Sequence, residues 1–323
     1  MTLTLANRYN LATIQPTITT ELLEEYRQQL DTDSTATVKT YMNCLYKFVA
    51  WLQEREITQA DYDTIVLYKK YLKEHEEQRD GQAVTIRLKA KTVNTYLAAI
   101  KDLYKFIERK GGINVASAVR REKTKANEMV RDCLTIDQVQ KILNSIDTST
   151  EQGARAYAMF KLMIQTGLRE CEVARADISD IVNIGNETVL YIQGKGETSK
   201  NEFVILYPSV LKALEDYHRI RQAKSSEPLF TGTSNHNNGG RMTTRSVQRV
   251  IKQLYTDNGI VRSNITTHST RHTAITLAII NGASIQQAQA MARHKNVNTT
   301  MMYYHKLDRL QDNAEGKLEQ LLN

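Results

Sequence analysis

A chain of 323 residues is long for one typical core and suits two domains of ordinary size. With 41% hydrophobic and 24% charged residues it has the composition of a globular protein, which excludes collagenous and low-complexity classes. A net charge of +7 and a pI near 9.1 favour an anionic partner.

The position of the charge says more than its sum. Residues 1–86 hold nine Lys/Arg against 13 Asp/Glu, a balance of −4, whereas residues 87–131 hold twelve against four, a balance of +8. A basic band of this kind suits a phosphate backbone, because neutralising phosphates releases counterions. It equally suits a solvated helix face. Cys44, Cys133 and Cys171 are odd in number and lack Cys-x-x-Cys spacing, so no disulfide framework or metal site is expected. A reducing, cytoplasmic and nucleoid-associated setting follows. No export signal and no apolar run of membrane-spanning length is seen, so no membrane is expected.

In chain order, a short helix is predicted near 19–30, followed by a long amphipathic helix over 34–55 with Val38, Met42, Leu45, Val49 and Leu52 on one face. Two more are predicted at 60–77 and 91–110. The latter turns Val93, Leu97, Ile100, Tyr104 and Ile107 inward and Lys91, Lys101, Lys105 and Arg109 outward, and Gly111 and Gly112 end it. Residues 1–118 form a wholly helical first domain in this scheme. The polar, basic stretch 119–132 lacks apolar periodicity and is expected to be a linker. A second domain over 133–323 opens with a capping box, Thr135 and Gln138, and a further apolar helix over 153–165. Only 188–192 and 203–206 look like strands, giving a hairpin or three-stranded antiparallel sheet. Helices are expected over 209–222, 244–256, 269–281 and 284–292, and an amphipathic one near 307–323. The fold class is thus mainly α with one small sheet.

Four polar clusters carry the chemistry. In TGLRECE, Arg169 and Glu172 lie three apart and share a helix face, so the carboxylate can hold a guanidinium ready for a phosphate. In isolation such a pair is most often a surface ion pair. In HSTRH, His268 and Arg271 repeat the spacing near a helix start, where anions are favoured, while His272 lies about 100° round the helix and is expected to pack or to support the site's side chains from behind. In QGKGETSK, Lys195 sits between glycines in a turn from which a protonated amine can reach a departing oxygen, with Lys200 an equal rival. In ARHKNVNTTMMYY, nine residues separate His294 from Tyr303, which on one continuous helix would place them on opposite faces. Asn296, Asn298, Thr299 and Thr300 break that helix, and the threonine pair is expected to cap a new one that returns Tyr303 toward His294. Tyr304 remains a rival nucleophile on spacing alone. The 244–255 stretch adds a basic stripe of Arg245, Arg249 and Lys252 opposite Val247, Val250, Ile251 and Leu254, with Arg241 just before it; these join Lys91, Lys101 and Lys105 as candidate DNA contacts.

Taken together and in this order, these motifs resemble the tyrosine recombinases of the lambda-integrase type, the C-terminal 190 or so residues strongly and the first domain by general architecture. The resemblance implies a helical core-binding domain (SAM-like) and a catalytic domain closing on DNA as a C-shaped clamp. It implies that Arg169, Arg271 and His268 bind the scissile phosphate, that Lys195 is the general acid, that His294 is the second histidine and Glu172 the supporting acid. It selects Tyr303 as nucleophile. It further implies a 3′-phosphotyrosyl intermediate without metal or other cofactor, an inverted-repeat duplex DNA site, a homotetramer on DNA joined by the C-terminal helix, a monomer or weak oligomer off DNA, and a directionality factor as an admissible partner. Integration and excision of a mobile element is the expected task. A Xer-like dimer resolvase, a type IB topoisomerase and a silent DNA binder are the alternatives. One departure stands out: the family's common L-G-H-S is here Ala292, Arg293, His294 and Lys295, and the two added cations are expected to touch phosphates.

Overall fold

The computed structural model describes residues 17–30, 35–79, 82–124, 132–194, 197–234, 237–303, 318–319 and 321–322. The chain divides into two compact units, Met1–Ala126 and Asn127–Asn323.

The first unit contains α1 (Thr20–Gln29), α2 (Thr35–Glu54), α3 (Tyr62–Lys73) and α4 (Ala90–Arg109). Thr19 caps α1, and Asp61 with Thr64 forms a capping box on α3, so local side chains satisfy the first N–H groups. Leu45, Phe48, Ile65, Leu97, Ile100 and Leu103 are fully buried between these helices. On α4 the apolar face is inward as its spacing predicts, and Lys91, Lys105 and Arg109 are exposed. The unit is not wholly helical, however. α3 ends at Lys73, four residues short of expectation, and the chain forms an antiparallel hairpin of β1 (His75–Arg79) and β2 (Gln82–Ile86). The register runs from His75 opposite Ile86 to Arg79 opposite Gln82.

The first part of the expected linker also belongs to this unit. Val119 is buried in its core, the Lys69 amine donates to the Arg120 carbonyl at 2.7 Å, and Asn94 bonds both backbone groups of Glu122. The Glu122 carboxylate pairs with Lys69 and Lys73 at 2.8 and 3.2 Å.

The second unit begins with α5 (Ile136–Ser145), whose Thr135–Gln138 capping box is present as expected. α6 (Glu151–Thr166) is central, packing on α5, α8 (Pro208–Ile220), α9 (Thr244–Asp257) and α10 (Ser269–Ile280). Phe160, Leu162, Leu190, Val210, Tyr217 and Ile251 lie in the core with no exposure. α7 (Glu170–Arg175) leads to an antiparallel sheet of order β3 (Ile181–Ile184), β4 (Glu187–Ile192), β5 (Glu202–Ile205). A second hairpin, β6 (Thr231–Ser234) with β7 (Asn237–Arg241), lies where only helices were expected. Its sequence lacks an apolar alternation, and its strands approach so closely that a Cβ on Gly232 would stand 2.3 Å from the Asn237 carbonyl oxygen. After α11 (Ile285–Ala292) the chain is helical again over 297–303. Among the described residues, no helix is long and apolar enough to cross a membrane, and no group of three or more His, Cys, Asp or Glu is placed to hold a metal ion.

Candidate active site

The turn from α6 to α7 is built by Gly167, which adopts φ 62° and caps α6 with its N–H on the Met163 carbonyl. Leu168 then plugs the core, and Arg169 becomes the N-cap residue of α7. The three-residue spacing has a double use: Glu172 Oε2 accepts from the Arg169 backbone N–H at 2.8 Å, while Oε1 accepts from Arg169 Nη1 at 2.5 Å. This is no surface pair, because Glu172 is completely buried. Burial opposes the charge on its carboxyl, yet the Arg293 guanidinium, the Arg169 N–H and the Arg169 guanidinium together hold its pKa below the ordinary value.

At the start of α10, the His268 ring stands 3.5 Å from Glu170 Oε2, and the Thr267 hydroxyl donates to Glu170 Oε1 at 2.6 Å. Burial works against the Glu170 charge, but these partners hold its pKa down at about 2. Arg271 is 2% exposed and is aimed by two carbonyls: Nη1 donates to Gly167 at 2.6 Å and Nη2 to Ala292. Burial, then Arg169 and Arg293 nearby, push its pKa down to about 9, so it stays charged at neutral pH.

Beyond α11, Arg293 takes the left-handed conformation, φ 54°, and the helix breaks as expected. The threonine pair does not cap the next helix. Asn296 does, its Oδ1 accepting from Asn298 N–H at 2.9 Å and its carbonyl from Thr299 N–H, while Thr300 is buried and its hydroxyl meets His294 Nδ1 at 2.9 Å. The break returns Tyr303 to His294: their rings lie 6.4 Å apart and nearly parallel. Burial, then Arg271, Arg169 and Arg293, lower the His294 pKa to about 4.

Arg169, His268, Arg271, His294 and Tyr303 thus line one cleft of about 470 Å³. His272 and Arg293 line it too. His272, expected to pack or to support the site from behind, is hydrogen-bonded through Nδ1 to the Tyr303 hydroxyl itself, and its ring meets the His268 ring edge-on at 5.0 Å. The four-residue interval from His268, which places two side chains on one helix face, is the signal that would have found it. Arg293 and Lys295, both expected to touch phosphates, line the cleft but each is paired with a carboxylate. Arg293 is turned inward onto Glu172, and Lys295 pairs with Glu197 at 2.9 Å. Lys195 and Tyr304 lie outside the described residues; Gly194 and Glu197, on either side of Lys195, both line the cleft. Lys200, the rival lysine, is occupied by Asp177 and Asp180.

Arg241, expected among the DNA contacts, is held by Asp177 and by the Ala174 and Ala176 carbonyls, which ties β7 to the end of α7. Lys101 donates to the Ser117 carbonyl at 3.0 Å and is half-buried. Arg245, Arg249 and Lys252 form an exposed stripe on α9, opposite buried Val247, Ile251 and Leu254.

Guanidinium groups, three histidine rings and a tyrosine meet in one cleft, an arrangement that can hold an oxyanion, and the fold around it is that of a DNA strand transferase. Residues 132–309 match the phage integrase family, and residues 17–111 match the phage integrase N-terminal SAM-like domain. The chain belongs to the phage integrase family; it is a tyrosine recombinase, an enzyme of site-specific recombination. Tyrosine recombinase XerD of Listeria innocua is 26% identical over 280 residues, 84% of this chain and 88% of that one. The fold is shared with XerH recombinase bound to palindromic difH substrate in a post-cleavage complex (TM-score 0.65, 19% identity, 87% and 79% of the two chains). It is shared also with a lambda integrase fragment bound as a dimer to a COC′ core site (TM-score 0.63, 17% identity, 86% and 96%).

Proposed function

We propose that this recombinase integrates and excises a mobile element, using Tyr303 to attack a phosphate in duplex DNA with an inverted-repeat site. The convergence of Arg169, His268, Arg271 and His294 on Tyr303 in one cleft carries the cleavage chemistry of this assignment. In the proposed step the Tyr303 oxygen bonds to phosphorus as its proton passes to His272 Nδ1, the phosphorus–5′-oxygen bond breaks and that oxygen leaves with a proton from Lys195, and a 3′-phosphotyrosyl link conserves the bond energy. Arg169 and Arg271, with His268, neutralise the charge of the pentavalent phosphate, and Glu172 holds Arg169 in place. His294, with its lowered pKa, serves as a neutral hydrogen-bonding group. A 5′-hydroxyl from a partner strand reverses the step. The exposed cations of α4 and α9 supply DNA contacts, with Arg249 addressing base edges.

A homotetramer on DNA is supported by two apolar features of the second unit. Leu318, Leu321 and Leu322 are exposed, and a groove of about 890 Å³ between β5 and the α10–α11 corner is lined by Phe203, Ile205, Tyr207, Ala278 and Met291. Seating one protomer's C-terminal helix on a neighbour would cover both.

A second reading, dimer resolution, is favoured by the similarity to XerD over 84% of the chain. Covalent trapping on nicked duplexes separates the two. Duplexes tiled across the DNA flanking the gene are expected to yield an adduct that Tyr303→Phe abolishes and Tyr304→Phe leaves. An adduct only on the chromosomal dimer-resolution site would move the assignment to the second reading. Relaxation of supercoils without site preference would indicate topoisomerase action, and binding without any adduct a silent binder.

A further inference from the structure

Arg293 stands where the related wording L-G-H-S has glycine, and its backbone is left-handed, φ 54°, a conformation that favours glycine. A residue held in such a conformation persists only where its surroundings over-determine it. Here they do. The side chain is 5% exposed. Nη1 donates to the Met291 carbonyl at 2.6 Å, and Nη2 donates to Glu172 Oε2 at 2.8 Å and reaches the Gly167 carbonyl at 3.5 Å. Nε, which has no hydrogen-bond partner among the described residues, lies 4.0 Å from Glu202 Oε2.

These partners belong to different parts of the cleft. Gly167 and Glu172 form the turn that carries Arg169, and the Gly167 carbonyl also receives Arg271. Glu202 is the first residue of β5, on the far side of the segment containing Lys195. Arg293 itself directly precedes His294 and the helix that bears Tyr303. Glu172 is gripped by both oxygens, Oε1 by the Arg169 guanidinium and Oε2 by Arg293, so the side chain that aims Arg169 is itself aimed by Arg293.

We propose that Arg293 is a positioning residue for strand cleavage, a single guanidinium that ties the Arg169–Glu172 turn, the start of β5 and the His294–Tyr303 segment into one register. The inference rests on the recombinase assignment above and concerns how that cleft is held.

The test compares wild type, Arg293→Gly, Arg293→Lys, Glu172→Gln and the Arg293→Gly/Glu172→Gln double variant on a nicked duplex that the wild type cleaves. Affinity is read by mobility shift, adduct formation in a single turnover, and folding by thermal unfolding. Arg293→Gly, whose backbone suits the left-handed turn, is expected to bind DNA within about twofold of wild type and to form adduct about a hundredfold more slowly, the cost of a small misplacement of reacting groups. Arg293→Lys, which keeps the charge but not the fork, is expected to fall between the two and serves alone if the glycine variant unfolds. The double variant is expected to be no slower than the slower single variant. Parental cleavage by Arg293→Gly, a loss of affinity with an unchanged rate, or additive effects with Glu172→Gln would each overturn the proposal. A wild type that forms no adduct on any duplex would instead overturn the parent assignment, and this one with it.

Discussion

Glu172 has no solvent exposure and holds two guanidinium groups, so its removal leaves buried positive charge without a counterion. Glu172→Ala is expected to lower unfolding stability by about 3–5 kcal/mol, measured by urea titration. His294 gives a pH dependence of definite sign. Its pKa in the folded protein is about 4 against an ordinary 6.5, lowered first by burial and then by the surrounding arginines, so the fold favours the neutral ring. The stability that depends on that neutrality is fully present above pH 6.5 and is lost as pH falls from 6.5 through 4, because the unfolded chain takes up the proton first. The urea midpoint of His294→Gln is expected to fall less steeply than that of wild type over this window. That Arg169, His268, Arg271, His294 and Tyr303 would meet in one cleft was legible from their polar types and their order along the chain. Arg293 was not, since a cation beside a phosphate motif suggests a phosphate contact, and the partner that draws it inward is 121 positions away. That His272 touches Tyr303 itself was hidden for a similar reason, the two being 31 positions apart.

At the scale of elements, the α6–α7 turn shows what a single backbone conformation positions. Gly167 has a positive φ, and a Cβ there would meet Met291 Cε at 3.6 Å and Ala274 Cβ at 3.8 Å, ordinary contacts. Gly167→Ala is therefore expected to cost about 1–2 kcal/mol from the backbone alone, read by thermal unfolding. Helices with an apolar stripe were readable from their spacing, as in α4 and α9, because burial there repeats every third or fourth residue. The hairpins were not. β1 is His-Glu-Glu-Gln-Arg, with no apolar alternation, and β6–β7 depends on glycines that permit close approach rather than on side chains that favour strands. The break before Tyr303 was readable from its run of short polar residues, but which of them caps depends on geometry, and Asn296 rather than the threonines does so.

At the scale of the whole molecule, Leu318, Leu321 and Leu322 are exposed near the C-terminus, and the proposed tetramer would cover them with another copy. Deleting 310–323 is expected to abolish tetramer assembly on DNA, measured by light scattering of the complex, while the Met1–Ala126 unit retains its fold. Unchanged assembly would place the tail on its own protomer. The contrast between the buried Glu172–Arg293 pair and the exposed cations of α4 and α9 has a further consequence, in the response to ionic strength. Mobile ions screen charges that face solvent and scarcely reach those packed inside. Added salt should therefore weaken DNA affinity steeply while leaving the prepared cleft as it was. With DNA held saturating, the single-turnover cleavage constant is expected to stay level across a range of salt in which Kd rises by orders of magnitude, so that ionic strength sets how often the enzyme is occupied and not how fast it cuts.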